Sequence, residues 1–180
     1  MKIGFISLGC SKNLVDTEMM IGLFKKNQFE IVNNPLNADI ILINTCGFIE
    51  SAKEEAINTI LEMCEYKQKQ CKYIIATGCL VKRYKQELKK AIPEVDLWFG
   101  CDDYEQFWEK IEKMLNLSQN NHKLDYHNRV ITTGNKTAYL KIAEGCSNHC
   151  TYCAIPKIRG PYVSRKKEEI LKEAQKLSDA

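Results

Sequence analysis

With 180 residues, 44% of them apolar, the chain is long enough to bury one core of ordinary domain size and too apolar to remain disordered. Its 26 basic and 23 acidic residues leave a net charge of +3, too slight to argue direct nucleic-acid binding, and the basic runs at 82–90 and 159–167 read as solvated faces. The opening apolar run at 3–6 is too short for a signal peptide or a membrane span, which points to the cytoplasm, where nine cysteines suggest metal or cluster ligation over a disulfide framework.

Strands are expected at 2–7, 29–32, 39–44, 73–77 and 95–99, alternating with segments of helical period. After the third strand, Ser51 and Glu54 form a capping-box signature, followed by Ala52, Ala56, Ile57, Ile60, Leu61 and Cys64 on one stripe. Val81, Tyr84, Leu88 and Ile92 make the next stripe, then Tyr104, Phe107, Trp108, Ile111, Met114 and Leu115. The pattern predicts an α/β domain over 1–115, an open and mostly parallel sheet flanked by helices. At 116–135 the composition turns to Asn, Gln, Ser, Thr and His, which reads as a linker. A strand at 136–143, a cysteine-rich loop and a helix from about 164, with Ile170, Leu171, Ala174 and Leu177 inward, complete the chain. One strand-loop-helix unit cannot make its own sheet, so 136–180 is expected to be the incomplete start of a second domain.

Within that loop Cys146, Cys150 and Cys153 stand at spacing x3 then x2. Soft thiolates on a short loop suit iron, and three local ligands leave one iron of a cubane open to an outside atom. Zinc competes, with His149 as fourth donor, but His149 directly precedes Cys150, where a tight loop makes joint ligation awkward.

Cys10, Cys46 and Cys79 are dispersed, yet each lies just past an expected strand. In a parallel sheet those ends share one edge, the usual ligand edge of open α/β folds. Gly9, Gly47 and Gly78 flank them and permit tight turns, and the helices that follow would turn amide-rich ends toward an anionic cluster. A lone cysteine at such a place would more often be a small packed side chain, but three equivalent positions reverse that weighting. Cys64 falls on a helix stripe and Cys71 lies at the opposite edge, so both read as structural. Cys101 also follows a strand, and geometry alone leaves it in play as a fourth ligand.

The loop resembles the cluster loop of the radical S-adenosylmethionine superfamily, with an aromatic, Tyr152, before its last cysteine. Together with Gly9-Cys10-Ser11-Lys12-Asn13-Leu14-Val15-Asp16, Cys46-Gly47-Phe48-Ile49-Glu50-Ser51 and Thr77-Gly78-Cys79-Leu80, it makes nearly the whole chain similar to the methylthiotransferase family of these enzymes. Lys12-Asn13-Leu14-Val15-Asp16 and Cys46-Gly47-Phe48-Ile49-Glu50-Ser51 resemble the branch that modifies a ribosomal protein; the tRNA-modifying branch favours Gln-Met-Asn after its first cysteine. The resemblance implies two 4Fe-4S clusters. Cys146, Cys150 and Cys153 would hold one, whose open iron binds S-adenosyl-L-methionine with Tyr152 beside the adenine, giving a 5′-deoxyadenosyl radical. Cys10, Cys46 and Cys79 would hold an auxiliary cluster that carries the sulfur, and Cys101 lies outside the family pattern. An external electron donor and a small-subunit ribosomal protein, methylthiolated at an aspartate β-carbon, would be the partners. The competing readings are a tRNA adenosine methylthiotransferase and a non-catalytic iron–sulfur or metal-binding module. Residues that clamp S-adenosylmethionine are expected downstream of this sequence, and 1–180 alone is expected to be inactive.

Overall fold

The computed structural model describes residues 1–118, 120, 122–134 and 136–179. Its strands are β1 (Lys2–Ser7), β2 (Glu30–Val32), β3 (Ile40–Thr45), β4 (Tyr73–Gly78) and β5 (Leu97–Phe99), near the expected positions. They form one sheet in the order β2-β1-β3-β4-β5, with every neighbouring pair parallel. This is a doubly wound order. The chain steps to one side of β1 and then to the other, so a crevice opens beyond the carboxyl ends of β1 and β3.

Helices α1 (Ser11–Lys26) and α4 (Phe107–Leu115) cover one face, and α2 (Glu50–Glu65) and α3 (Cys79–Ala91) cover the other. Strand alternation sorts the core between them. Ile40 and Leu42 of β3 join Ile3, Phe24, Phe107, Trp108 and Ile111 on the first face, whereas Ile41 and Ile43 join Ile60, Leu80, Val81 and Leu88 on the second. All of β3 is buried, which is why it reads as a continuous apolar run. Phe24 anchors the first face edge-on to Phe5, Phe29, Phe107 and Trp108, with centroids 5.1 to 6.4 Å apart.

Three expectations need correction. Helix α2 starts at Glu50 with Ile49 as its N-cap and no side-chain capping bond, so Ser51 and Glu54 do not form a capping box. Glu50 takes the first turn instead, where it meets the positive end of the helix dipole and pairs with Lys53. The strand expected at 136–143 is reduced to β6 (Ala143–Glu144), antiparallel to β7 (Val163–Ser164). The residues before it run beside α1 without a ladder, held by side chains: the Tyr139 carbonyl accepts from Arg129, and Lys141 pairs with Asp16. After the short helix α5 (Ile155–Arg159), helix α6 (Lys167–Asp179) buries Glu173, while Leu171 is 57% exposed. Ile170, Ala174 and Leu177 are half-buried as expected, so only Leu171 departs, and Glu173 turns inward because it pairs with Arg129 and Arg165.

Among the described residues, 116–135 holds no strand and no helix, yet it is not slack. Arg129 is buried between Glu18 and Glu173, both at 3.0 Å. The Val130 amide donates to the Glu18 carbonyl at 3.1 Å, and the Thr132 amide and hydroxyl donate to the Glu18 carboxylate at 2.7 and 2.9 Å. Gly22 permits the approach, since a Cβ there would stand 2.0 Å from the Asn128 carbonyl oxygen. Helix α1 is therefore covered by the sheet on one side and by this segment on the other. Its polar residues Asn13, Asp16, Thr17 and Glu18 are all buried. Among the described residues no helix is long and apolar enough to cross a membrane.

Candidate functional site

Four cysteines follow four strands at one sheet edge. Cys10 is the N-cap of α1, Cys46 directly follows β3, Cys79 opens α3, and Cys101 lies in the turn after β5. The turns nest against one another because glycines remove the intervening side chains. A Cβ on Gly9, whose φ is +91°, would lie 2.9 Å from the Cys46 sulfur, and one on Gly47 would lie 2.6 Å from the Leu80 Cα, next to Cys79. Exposure falls across the set: Cys10 is exposed, Cys46 half-buried and Cys79 buried.

Asn13 ties these turns together. Its amide nitrogen donates to the carbonyls of Leu8 and Thr45, each at 3.0 Å, and its Oδ1 lies 3.5 Å from the Cys79 sulfur. Asn44 braces it by donating to the Asn13 carbonyl at 2.8 Å. From the far part of the chain Arg159 reaches in, donating to Asn13 Oδ1 at 2.5 Å, Asp16 at 2.8 Å and the Cys79 sulfur at 3.5 Å. Asp16 is fully buried and also pairs with Lys141, while Glu144 bridges Lys141 at 2.6 Å and Arg159 at 3.1 Å.

These contacts set the chemistry of the thiols. The hydrogen bond from Cys101, 3.8 Å away, and the adjacent Arg159 hold the Cys79 pKa below the usual thiol range against the opposing effect of burial. Cys101, the donor of that bond, is pushed up by it and by burial. Away from the site, burial raises Cys64 to about 11 and also raises Cys71. Cys79 is thus set for thiolate chemistry, while Cys64 and Cys71 are not.

The second triplet occupies the loop between β6 and β7. Cys146 and Cys153 are half-buried, Cys150 is exposed, and Tyr152 is 90% exposed. The loop is pinned at its base. The Cys146 amide donates to the Gly160 carbonyl at 3.1 Å, and the Tyr162 amide donates to the Ser147 hydroxyl at 3.0 Å. Gly145, at φ +69°, lies so close to Pro161 that a Cβ would stand 2.0 Å from its carbonyl oxygen.

Among the described residues no group of three or more Cys, His, Asp or Glu is close enough to hold a single metal ion. The donor chemistry nevertheless fits a multi-iron cluster. Both triplets are free thiols, Cys10 and Cys79 stand at amide-rich helix starts, and the Gly9 turn keeps Cβ volume away from the Cys46 sulfur.

Sequence patterns alone missed Asn13, Asp16, Lys141, Glu144 and Arg159. A signal existed for α1: Asn13, Asp16 and Thr17 continue the stripe of Met20 and Phe24, so polar residues occupy an inward face. The basic runs also proved partly internal, since Arg159 is tied to Asp16, and Lys82 and Lys85 pair with Asp102 and Asp103.

Fold and site together define a doubly wound α/β domain with thiols gathered at its switch-point edge. A family model described as "Uncharacterized protein family UPF0004" matches residues 2–100, and the chain belongs to that family. Relatives named "Ribosomal protein uS12 methylthiotransferase RimO" are 65% identical in Alkaliphilus oremlandii, over 99% of this chain and 41% of the relative, and 52% identical in Acetivibrio thermocellus, over 98% and 42%. A third, from Clostridium acetobutylicum, is 50% identical over 99% of this chain and 42% of its own length. The chain thus spans about two-fifths of the length of these curated relatives. Their name is that of the ribosomal branch to which the motifs around Cys10 and Cys46 point.

Proposed function

We propose that this chain serves a radical S-adenosylmethionine methylthiotransferase that adds a methylthio group to an aspartate β-carbon of ribosomal protein uS12. The observation that carries the reading is the convergence of Cys10, Cys46 and Cys79 on one sheet edge, tied by Asn13 and faced by Arg159 from the segment bearing the second triplet. The names of the relatives support the ribosomal substrate over a tRNA.

In this reading residues 1–115 form the auxiliary-cluster domain, 116–135 a linker, and 136–180 the start of the radical S-adenosylmethionine domain. Cys146, Cys150 and Cys153 hold one 4Fe-4S cluster and Cys10, Cys46 and Cys79 the other. When bound, the first supplies the electron, received from an external donor, for reductive cleavage of S-adenosylmethionine, and the second supplies the sulfur. Tyr152, whose ring is exposed, would be the adenine contact. The chain's own residues do the positioning: Asn13 fixes the turns that present the thiols, and Arg159 offsets their negative charge.

Anaerobic reconstitution with iron and sulfide, followed by counting of both, tests the assignment. The triple variant Cys146→Ala, Cys150→Ala, Cys153→Ala should lose about half of the iron, and so should the Cys10, Cys46 and Cys79 triple variant. Cys64→Ala, Cys71→Ala and Cys101→Ala should retain it. A colourless chain with stoichiometric zinc would sink the reading, and loss of the auxiliary cluster in Cys101→Ala would mean a closed, four-thiolate site.

A further inference from the structure

We propose that Cys79 and Cys101 form a redox-active dithiol, a modification site that closes to a disulfide when Cys79 holds no iron. The two sulfurs already face each other: Cys101 donates its S–H to the Cys79 sulfur across 3.8 Å. Closure to a bond length of about 2.05 Å requires the sulfurs to approach by roughly 1.8 Å.

Both partners are held in place. Cys79 is the first residue of α3, and the turn bearing Cys101 is clamped onto the same helix by Asp102 with Lys82 and by Asp103 with Lys85. The Gly100 amide closes that turn by donating to Asp103 at 3.0 Å. Access comes from the other side, where Cys101 lines a cleft of about 290 Å³ with Lys82, Lys157 and Arg159 among its walls. Asp102 and Glu144 also line it and pair with Lys82 and Arg159, which leaves Lys157 to meet the carboxylates of a small-molecule oxidant. A single metal ion is a poorer occupant, because the pair offers only two sulfurs and no third Cys, His, Asp or Glu donor stands close enough among the described residues.

The co-reactant is a low-molecular-weight disulfide. Two protein S–H bonds and the reagent S–S bond break, one protein S–S bond forms, and the two protons and two electrons leave on two reagent thiols. The disulfide shields Cys79 from irreversible oxidation to the sulfinic state. Its further effect, withdrawing one thiol from the auxiliary triplet until a reductant restores it, rests on the cluster reading above.

The iron-free chain, equilibrated anaerobically with oxidised and reduced glutathione, blocked with N-ethylmaleimide and digested with trypsin, tests the pair. The expected product joins peptides 73–82 and 91–110, in at least about tenfold excess over any other cysteine pairing, as proximity requires. It should vanish in Cys101→Ser, and the oxidised wild type should take up about half the iron of the reduced chain on reconstitution, while Cys101→Ser is insensitive to prior oxidation. Scattered pairings, or glutathione adducts without the 73–82 to 91–110 link, overturn the proposal. A normal link in a chain that takes up no auxiliary iron even when reduced supports the dithiol and overturns the cluster reading instead.

Discussion

Replacing Asp16 with alanine should undock the carboxyl-terminal segment from a sheet that stays folded. The Asp16 side chain is 0% exposed and accepts from two cations, Lys141 and Arg159, whose side chains are 5% and 4% exposed. Once it is gone, the only carboxylate among the described residues within reach of both is Glu144, itself 32% exposed. Removing one partner of a buried ion pair costs about 3–5 kcal/mol, because the remaining charge is left uncompensated. At 1.4 kcal/mol per factor of ten, docking of 136–179 weakens by about two to three and a half orders of magnitude, nearer the lower end because Glu144 still faces both cations. The two apolar cores do not include Asp16, so the sheet should hold. Limited trypsin digestion followed by mass analysis reads this directly, since cleavage tracks the open population when reclosing is fast. Cuts after Lys141 and Arg159 should accelerate about a hundredfold, in line with that loss, while the denaturant transition reported by Trp98 and Trp108 persists. As a control, Glu30→Ala removes only the exposed pair with Lys2 and should cost no more than about 1 kcal/mol. Unchanged cleavage at Arg159, or loss of the tryptophan transition together with docking, would refute the reasoning.

Further outcomes follow from the same contacts. Burial pushes Glu144 up, but Lys141 and Arg159 outweigh it and hold the pKa at about 2, against an ordinary 4.5. A depressed acid stabilises above its unfolded pKa, so its contribution should fade as pH drops from 4.5 toward 2, read as rising pepsin cleavage within 136–179 and flattened in Glu144→Gln. Gly22→Ala puts a Cβ 2.0 Å from the Asn128 carbonyl and should weaken packing of 116–135 by about 1–3 kcal/mol. Hydrogen exchange at the Val130 amide, bonded to Glu18, should quicken accordingly. Asn13→Ala frees the Leu8 and Thr45 carbonyls and one Arg159 donor, so iodoacetamide should modify Cys79 faster in the iron-free chain, with the sheet unaltered by circular dichroism.

The sheet was legible because its determinants are local. Residues 2–7, 39–44 and 73–77 are apolar runs bounded by turn residues, and parallel order follows from the helices between them. The positions of Cys10, Cys46 and Cys79 at strand ends were legible for the same reason. What could not be read was set by partners distant in sequence. Nothing around 136–143 says that Lys141 will pair with Asp16 rather than extend a ladder, and nothing within α6 says that Glu173 will face inward, which it does through Arg129 and Arg165. The capping box at Ser51 failed on a smaller scale: the helix begins one residue earlier, at Glu50, which puts Ser51 inside the first turn and not at the cap.

Arg159 lies 80 residues beyond the thiol it faces. At synthesis rates of about 5–20 residues per second, Cys79 emerges from the ribosome some 4–16 s before the guanidinium that neutralises it. Within that interval, once residues up to 115 have emerged, the strands and covering helices are complete and the sheet edge can fold before Arg159 is made. The order of synthesis thus leaves the Asp16 carboxylate without its two cations until residues 141–159 dock and bring Lys141 and Arg159 onto it.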